Sequence, residues 1–365
     1  MRVILAGGGT GGHVIPALAI ARELQTLDSA DCLFIGTSRG IETRLVPAAG
    51  FPLELIQVGA LNQVSLMMRL KTLFGLPVAI WTALGILRKF RPDVVIGVGG
   101  YASGPAMAAA VLRRIPMLAF EPNVVPGFAN RIVAPFVSAA AVHFDETKKY
   151  FRNCHVTGVP VRAQFFDLSS REKMRAAGGP PILLVFGGSQ GARAINQSMC
   201  EAVSGLREKT PNLQIIHQTG ERDYSSTIEA YKKLGIKAEI SKFIDDMPGT
   251  FARADLILCR SGASTVAEIA AAGKPAVYVP FPRSADDHQR RNAEAMQNVG
   301  AAVMLEERDL TAAKLVALIA GLISDPSKLQ AMCEAARRMA HPNAAREIAE
   351  LVKSLATSSK VEANG

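Results

Sequence analysis

The chain has 365 residues, 49% of them hydrophobic and 20% charged, the make-up of an α/β protein with more core than one domain usually holds. Its net charge of +9 is uneven, since residues 1–162 carry 16 Lys and Arg against 9 Asp and Glu, a net of +7, and the rest only +2. The sequence has no apolar run near the ~18 residues of a membrane span, no basic leader with a cleavage site, no CxxC pair among its five cysteines and no basic stripe interleaved with aromatics, so it reads as a reduced, cytoplasmic protein without structural zinc that does not bind nucleic acid.

The first predicted unit is a strand over 3–6, the loop Gly7-Gly8-Gly9-Thr10-Gly11-Gly12-His13 and a helix over 14–24. Glycines let backbone approach a ligand closely, and the helix start offers unpaired N–H groups that favour an oxyanion. The loop satisfies GxGxxG, but a dinucleotide fold also needs a carboxylate at the end of the second strand. That strand, 32–35, ends in Gly36-Thr37-Ser38 with no carboxylate, which argues against an NAD(P) oxidoreductase. A helix around 40–49 and a strand over 53–58 follow. Residues 59–75 read as irregular, and Pro77 as the start of a helix over 78–90. Leu66, Met67, Met68, Leu73 and Phe74, beside Arg69, Lys71, Arg113 and Arg114, read as a shallow patch for an anionic membrane surface.

A strand over 93–98 runs into a second glycine loop, Gly99-Gly100-Tyr101-Ala102-Ser103-Gly104-Pro105, and a strand over 116–120 delivers Glu121-Pro122-Asn123. Both fall at carboxyl ends of strands, where α/β sheets bind ligands. A helix begins at 127–131, residues 156–162 close this half, and 163–180 form a linker. The opening theme then returns as a strand over 182–186, the loop Gly187-Gly188-Ser189-Gln190-Gly191-Ala192 and a helix over 193–203. Strands over 213–217 and 238–240, a turn Phe243-Ile244-Asp245-Asp246-Met247, and a strand over 255–259 lead to Arg260-Ser261-Gly262-Ala263. A helix over 264–272 capped by Gly273, a strand over 275–279 and a helix starting near Asp286-Asp287-His288-Gln289 complete the pattern. The chain is therefore expected to form two Rossmann-like domains with parallel sheets facing across a cleft, over 1–162 and 163–340. A tail helix within 341–357 would pack back on the first domain, and the last ten residues would be disordered.

GGGTGGH, GGYASGP, Glu121-Pro122-Asn123, Gly158-Val159-Pro160-Val161-Arg162, GGSQGA, FIDDM, RSGASTVAEIAAAGKPAVYVPFP and DDHQRRNA, in this order over about 340 residues, resemble the MurG glycosyltransferases. That resemblance implies a GT-B fold of glycosyltransferase family 28 and an inverting hexosyltransferase. Such an enzyme moves N-acetylglucosamine from UDP-N-acetylglucosamine to the C4 hydroxyl of the N-acetylmuramyl residue of lipid I, giving lipid II for peptidoglycan. It further implies a peripheral protein on the cytoplasmic face of the plasma membrane, with UDP-N-acetylglucosamine, lipid I, anionic inner-leaflet phospholipids and other cell-wall synthesis proteins as partners.

From the residues themselves, the stretch 260–265 joins glycine, hydroxyls and a helix start, a place for a diphosphate. Glu268 lies four residues after Ser264, on the same helix side, where a carboxylate can accept both ribose hydroxyls, the role of the matching family Glu; the alternative is a solvated helix carboxylate. The resemblance places Ala263, Ser264, Thr265 and Val266 along this donor stretch, and Ile244 against the uracil. It sets Ser189 and Arg162 beside the nucleotide, and Gln289 and Asn123 on the donor sugar. Thr10, Gly11 and Gly12 join the donor contacts, while Tyr101, Asn130 and Thr10 line the acceptor side. Arg162 could equally form an interdomain salt bridge, and Ile244 a core contact. No DxD pair adjoins either glycine loop, and helix N-termini can stabilise a departing diphosphate, so no metal or cofactor is expected.

The acceptor hydroxyl must lose a proton. His13, at a helix N-terminus whose dipole disfavours the imidazolium, is the first candidate base, and Glu121 the second. The family usually has His-Glu-Gln-Asn where this chain has Phe120-Glu121-Pro122-Asn123, and basic residues where it has Asn62 and Gln63. A UDP-N-acetylglucosamine 2-epimerase and a non-catalytic sugar-nucleotide or membrane-surface binding protein are the competing readings.

Overall fold

The computed structural model describes residues 1–59, 66–168, 179–188, 191–236 and 238–364, with backbone alone for 66–74 and 359–364. Contacts divide the chain into two compact units, Met1–Pro160 with Asn343–Gly365, and Val161–Pro342.

In the first unit the strands β1 (Arg2–Gly7), β2 (Asp31–Gly36), β3 (Leu53–Leu55), β4 (Val94–Gly99), β5 (Met117–Glu121), β6 (Ala139–Val142) and β7 (Cys154–Val156) form one parallel sheet in the order β3-β2-β1-β4-β5-β6-β7. Val3, Ile4, Leu5 and Ala6 are all fully buried, because a central parallel strand is covered by helices on both faces. The helices are α1 (Gly11–Asp28), α2 (Glu42–Ala48), α3 (Leu66–Phe90), α4 (Ser103–Leu112) and α5 (Phe128–Val133). The chain winds outward from β1 to β3 and then returns to β4. Its topological switch point therefore lies between the carboxyl ends of β1 and β4, where both glycine loops sit. A bulge between Ala6 and Gly7 shifts the β1–β4 register there.

The second unit repeats the plan with β8 (Ile182–Phe186), β9 (Gln214–Gln218), β10 (Ala238–Ser241), β11 (Leu256–Cys259), β12 (Ala276–Tyr278) and β13 (Ala302–Met304), parallel and ordered β10-β9-β8-β11-β12-β13. Its helices are α6 (Arg193–Lys209), α7 (Tyr224–Lys233), α8 (Met247–Arg253), α9 (Ala263–Ala272), α10 (His288–Asn298), α11 (Ala312–Ile323) and α12 (Pro326–Arg338). Here the switch point falls between β8 and β11, at the loops after 186 and 259. Gly273 closes α9 in the left-handed conformation at φ 60°, as a C-terminal glycine should.

Three expectations need correction. The stretch 66–75, read as irregular, belongs to α3, and Pro77 is its twelfth residue rather than its first. One proline removes a single i→i−4 bond, and the apolar run on either side carries the helix through. Of the last ten residues, expected to be disordered, 356–364 continue the C-terminal helix Ala344–Asn364; no Gly or Pro interrupts it before Gly365. The boundary expected after Arg162 lies after Pro160, because the Arg162 guanidinium sits 5.0 Å over the Phe165 ring and 3.9 Å from Glu268. Strands β6 and β13 and helices α7, α8, α11 and α12 lacked a distinctive sequence signal. Asn62 and Gln63 lie outside the described residues, as does the linker over 169–178.

The C-terminal helix packs on α1. It buries Ala344, Ile348, Val352 and Ala356, one residue every four along a single stripe, and Lys353 reaches Asp28 at 3.3 Å. Replacing Ile348 with Ala should therefore destabilise the first unit by about 2–4 kcal/mol. Urea unfolding followed by a first-unit probe such as Trp81 fluorescence checks this; an unchanged midpoint would show that the helix is merely draped on the surface.

Candidate functional site

At the first switch point the two glycine loops interlock. The Gly8 N–H donates to the Gly99 carbonyl at 3.2 Å. Gly100 holds φ 82°, and a Cβ on it would overlap the Gly8 carbonyl oxygen, so both loops need glycine to approach this closely. His13 lies in the first turn of α1, and a Cβ on Gly99 would stand only 2.8 Å from its Cε1; the imidazole therefore rests on the second loop. Thr10 supplies the N-cap residue of α1 without a side-chain cap, leaving the Gly11 and Gly12 N–H groups at an open helix start. Tyr101 is 42% exposed beside them.

A carboxylate that sequence reasoning missed lies beneath this loop. Glu42, the first residue of α2, is 1% exposed and folds back to the end of β2. Its Oε2 accepts from the Gly9 N–H at 2.7 Å, and its Oε1 from the Thr37 N–H at 2.9 Å and the Thr37 hydroxyl at 3.0 Å. The signal was present as Gly36-Thr37 followed by Gly40-Ile41-Glu42, six residues past the strand end rather than on it.

Glu121 is 2% exposed and fully engaged. Its Oε1 accepts from the Asn123 N–H and Nδ2, both at 3.0 Å, and its Oε2 from the Gly127 N–H at 3.0 Å and Asn130 Nδ2 at 2.9 Å. Burial nevertheless pushes its pKa above the usual carboxylate value. Both oxygens are held by four donors, which fixes the shape of the turn 121–130. Asn130, expected on the acceptor side, is itself buried and donates to the Phe120 carbonyl at 3.0 Å as well. It fixes the turn on which Asn123 stands.

In the second unit, α9 follows β11 with Gly262 as N-cap and no side-chain cap. The Val266 N–H is already bonded to the Gly262 carbonyl at 2.9 Å and its side chain is fully buried. Ala263, Ser264 and Thr265, before it, present the open N–H groups of the helix start. The Ser264 hydroxyl has no hydrogen-bond partner among the described residues. Two turns of backbone are pinned around them: the Ser261 hydroxyl donates to the Gln289 carbonyl at 2.7 Å, and Gln289 Oε1 accepts the Phe281 N–H at 3.0 Å. Arg260 donates to the Val279 and Pro280 carbonyls, both at 3.0 Å, and pairs with Glu307. The loop before α10 carries two consecutive left-handed residues, Asp286 at φ 50° and Asp287 at φ 55°, a strained conformation of the kind that collects at functional sites.

Glu268 lies one turn into α9, half-buried, with Arg162 3.9 Å away. Burial raises its pKa to about 7, against the opposing pull of the Arg162 guanidinium. Ile244 is half-buried behind an exposed Phe243, so its backbone is reachable. Ser189 lies outside the described residues. The second glycine loop rests instead on a buried network that the sequence did not announce. A Cβ on Gly191 would overlap the Thr219 carbonyl oxygen, and that oxygen also accepts from Asn196 Nδ2 at 2.9 Å. Asn196 Nδ2 donates to Asp223 too, at 2.8 Å, so its Oδ1 faces His217 Nε2 at 3.0 Å. Nε2 therefore carries the proton, and Nδ1 accepts from the Tyr231 hydroxyl at 3.1 Å. Burial holds His217 neutral, its pKa lowered to about 4.

Both halves match known proteins. Residues 3–142 match the glycosyltransferase family 28 N-terminal domain, and residues 182–350 the family's C-terminal domain. A relative from Anaeromyxobacter dehalogenans (strain 2CP-C) is named UDP-N-acetylglucosamine--N-acetylmuramyl-(pentapeptide) pyrophosphoryl-undecaprenol N-acetylglucosamine transferase. It is 44% identical over 358 residues, 97% of this chain and 93% of its own length. The crystal structure of Acinetobacter baumannii MurG matches with a TM-score of 0.81 at 32% identity, over 97% of this chain and 99% of that one. A UDP-GlcNAc 2-epimerase from Neisseria meningitidis shares the fold alone, with a TM-score of 0.67 at 16% identity over 97% and 100% of the two chains. Matched in both of its units, the chain belongs to glycosyltransferase family 28.

Proposed function

We propose that this protein transfers N-acetylglucosamine from UDP-N-acetylglucosamine to the muramyl C4 hydroxyl of lipid I. The observation that carries the reading is the uncapped start of α9, with the Ser264 hydroxyl buried and unpartnered among the described residues and Glu268 one turn on, in a chain 44% identical to a transferase so named. The Ala263, Ser264 and Thr265 N–H groups hold the diphosphate, Glu268 accepts the ribose hydroxyls, and Arg162 adds positive charge beside them. The Ile244 backbone meets the uracil, and Gln289 and Asn123 the sugar. As the acceptor oxygen bonds to the anomeric carbon, the bond from that carbon to the UDP oxygen breaks, inverting the centre to β. The diphosphate takes the electron pair, stabilised by the α9 dipole, and the hydroxyl proton passes to His13. Likeness to the epimerase, at 16% identity, reaches the fold only, while a relative 44% identical over 97% of the chain is named a transferase.

For the membrane reading, the side chains of Leu66, Met67, Met68, Arg69, Lys71, Leu73 and Phe74 lie outside the described residues. What supports it lies further along. α3, α4 and α5 pack side by side and leave Trp81 79% exposed, Val78 and Leu112 66% and Phe136 59%, with Arg113, Arg114 and Arg131 among them. No helix among the described residues is long and apolar enough to cross a membrane, so contact would be peripheral, through the apolar side chains and the basic rim.

Incubation with radiolabelled UDP-N-acetylglucosamine and a lipid I analogue should yield a β-linked lipid disaccharide. His13→Ala should cut turnover by about 10²–10⁴-fold with donor affinity intact; equal turnover would remove His13 from the chemistry. Because the fold raises the Glu268 pKa and ribose hydroxyls bind the ionised form, donor affinity should fall about tenfold per pH unit below pH 7. The same shift has the opposite sign for stability. A carboxyl raised from 4.5 to about 7 penalises the fold as pH climbs through that window. Glu268→Gln should therefore raise the melting temperature by roughly 2–4 °C at pH 8 and not at pH 4, while abolishing the pH dependence of donor binding. Trp81→Ala with Arg113→Ala should reduce co-sedimentation with vesicles containing anionic lipid, and salt should weaken the wild-type interaction.

A further inference from the structure

The geometry points to Glu42 as a positioning residue for His13, a role that rests on the transferase reading for its kinetic consequence. Three glycines make room for this one carboxylate: a Cβ on Gly8, Gly36 or Gly40 would overlap it. The sequence spends three side chains to admit it. It then takes the Gly9 N–H at 2.7 Å, the donor nearest the start of the loop that an incoming anion could have used. The carboxylate that a dinucleotide fold offers to a ribose is here turned onto the protein's own backbone.

The contacts form a circuit. Glu42 holds Gly9 from below, Gly8 donates to the Gly99 carbonyl at 3.2 Å, and the His13 ring rests on Gly99. His13 is reached from Gly9 through Thr10, whose carbonyl accepts the His13 N–H at 3.2 Å. Moving the Gly8–Gly9 peptide therefore moves the start of α1 against the second loop, and the imidazole with it. Thr37 is the counter-anchor, since its N–H and hydroxyl both hold Oε1. With Oε1 anchored on Thr37, Oε2 is committed to a single backbone donor. Glu42 touches no substrate in this scheme; it acts through the loop.

The test uses the full chain as wild type, Glu42→Ala, Glu42→Gln and Thr37→Val. Hydrogen–deuterium exchange of the peptide spanning residues 7–13 should speed up at least ~10-fold in Glu42→Ala, with the β8–β13 strands unchanged. Thr37→Val, which loses only the hydroxyl contact, should fall between it and wild type. Turnover should drop about 100-fold, the cost of misplacing a reacting group, while calorimetry shows a smaller change in Kd for UDP-N-acetylglucosamine, because Thr10, Gly11 and Gly12 supply only part of the expected donor contacts. Glu42→Gln, close in shape, carries both readouts should Glu42→Ala fail to fold. Unchanged exchange at 7–13, loosening spread evenly over the whole first sheet, or wild-type turnover in a variant that exchanges faster would each overturn the assignment. If the wild type shows no transfer at all, the transferase reading fails, and exchange at 7–13 alone decides whether Glu42 holds the loop.

Discussion

A helix that follows a central parallel strand begins with N–H groups that no helix carbonyl can accept, and their placement organises both units. The helices α1, α6 and α9, which follow β1, β8 and β11, start at Thr10, Ala192 and Gly262 without a side-chain cap. Elsewhere in the second unit Asp246, Thr311 and Asp325 cap α8, α11 and α12, while α7 and α10 also start without a side-chain cap. An omitted cap costs about 1 kcal/mol. At a switch point that cost leaves a dipole end and free donors facing the place where ligands enter an α/β sheet.

The two units treat this shared device differently. In the first, part of the donor set is consumed internally: Glu42 takes the Gly9 N–H, and the interlocked loops leave a histidine seated on glycine. In the second, the donors at α9 stay open, the Ser264 hydroxyl beside them has no partner among the described residues, and a carboxyl one turn on is kept near neutrality by burial. Unit 2 thus keeps an open helix start with a carboxyl one turn on, and unit 1 a histidine seated on its second glycine loop.

Behind each loop stands a buried polar network rather than apolar packing alone. Glu121 with Asn123, Gly127 and Asn130 fixes one turn, and Tyr231, His217, Asn196 and Asp223 fix the other. Such networks carry little net stability, but they specify one arrangement, since any shift would strand a buried donor or acceptor.

Much of this was legible in the residues. Strand, glycine loop and helix recur 180 residues apart as Gly7 and Gly187, and Ser264 with Glu268 follows from helical spacing, because these are local consequences of backbone freedom and 3.6-residue periodicity. The family also followed from the order of motifs, and both family domains match along the chain. Strands β6 and β13 were illegible, being four and three residues long with no alternation. The continuity of α3 through Pro77 was lost because proline is equally at home at a helix start. Glu42 and His217 were invisible for another reason: their partners lie at sequence separations of 33 and 21 residues. The sequence by itself determined the fold class and the donor helix, whose signals are contiguous. Which carboxylate stays near a ligand and which is turned onto the backbone was decided only when the sheet brought the ends of β1, β2 and β4 together, because hydrogen-bond partnership depends on distance in space rather than along the chain.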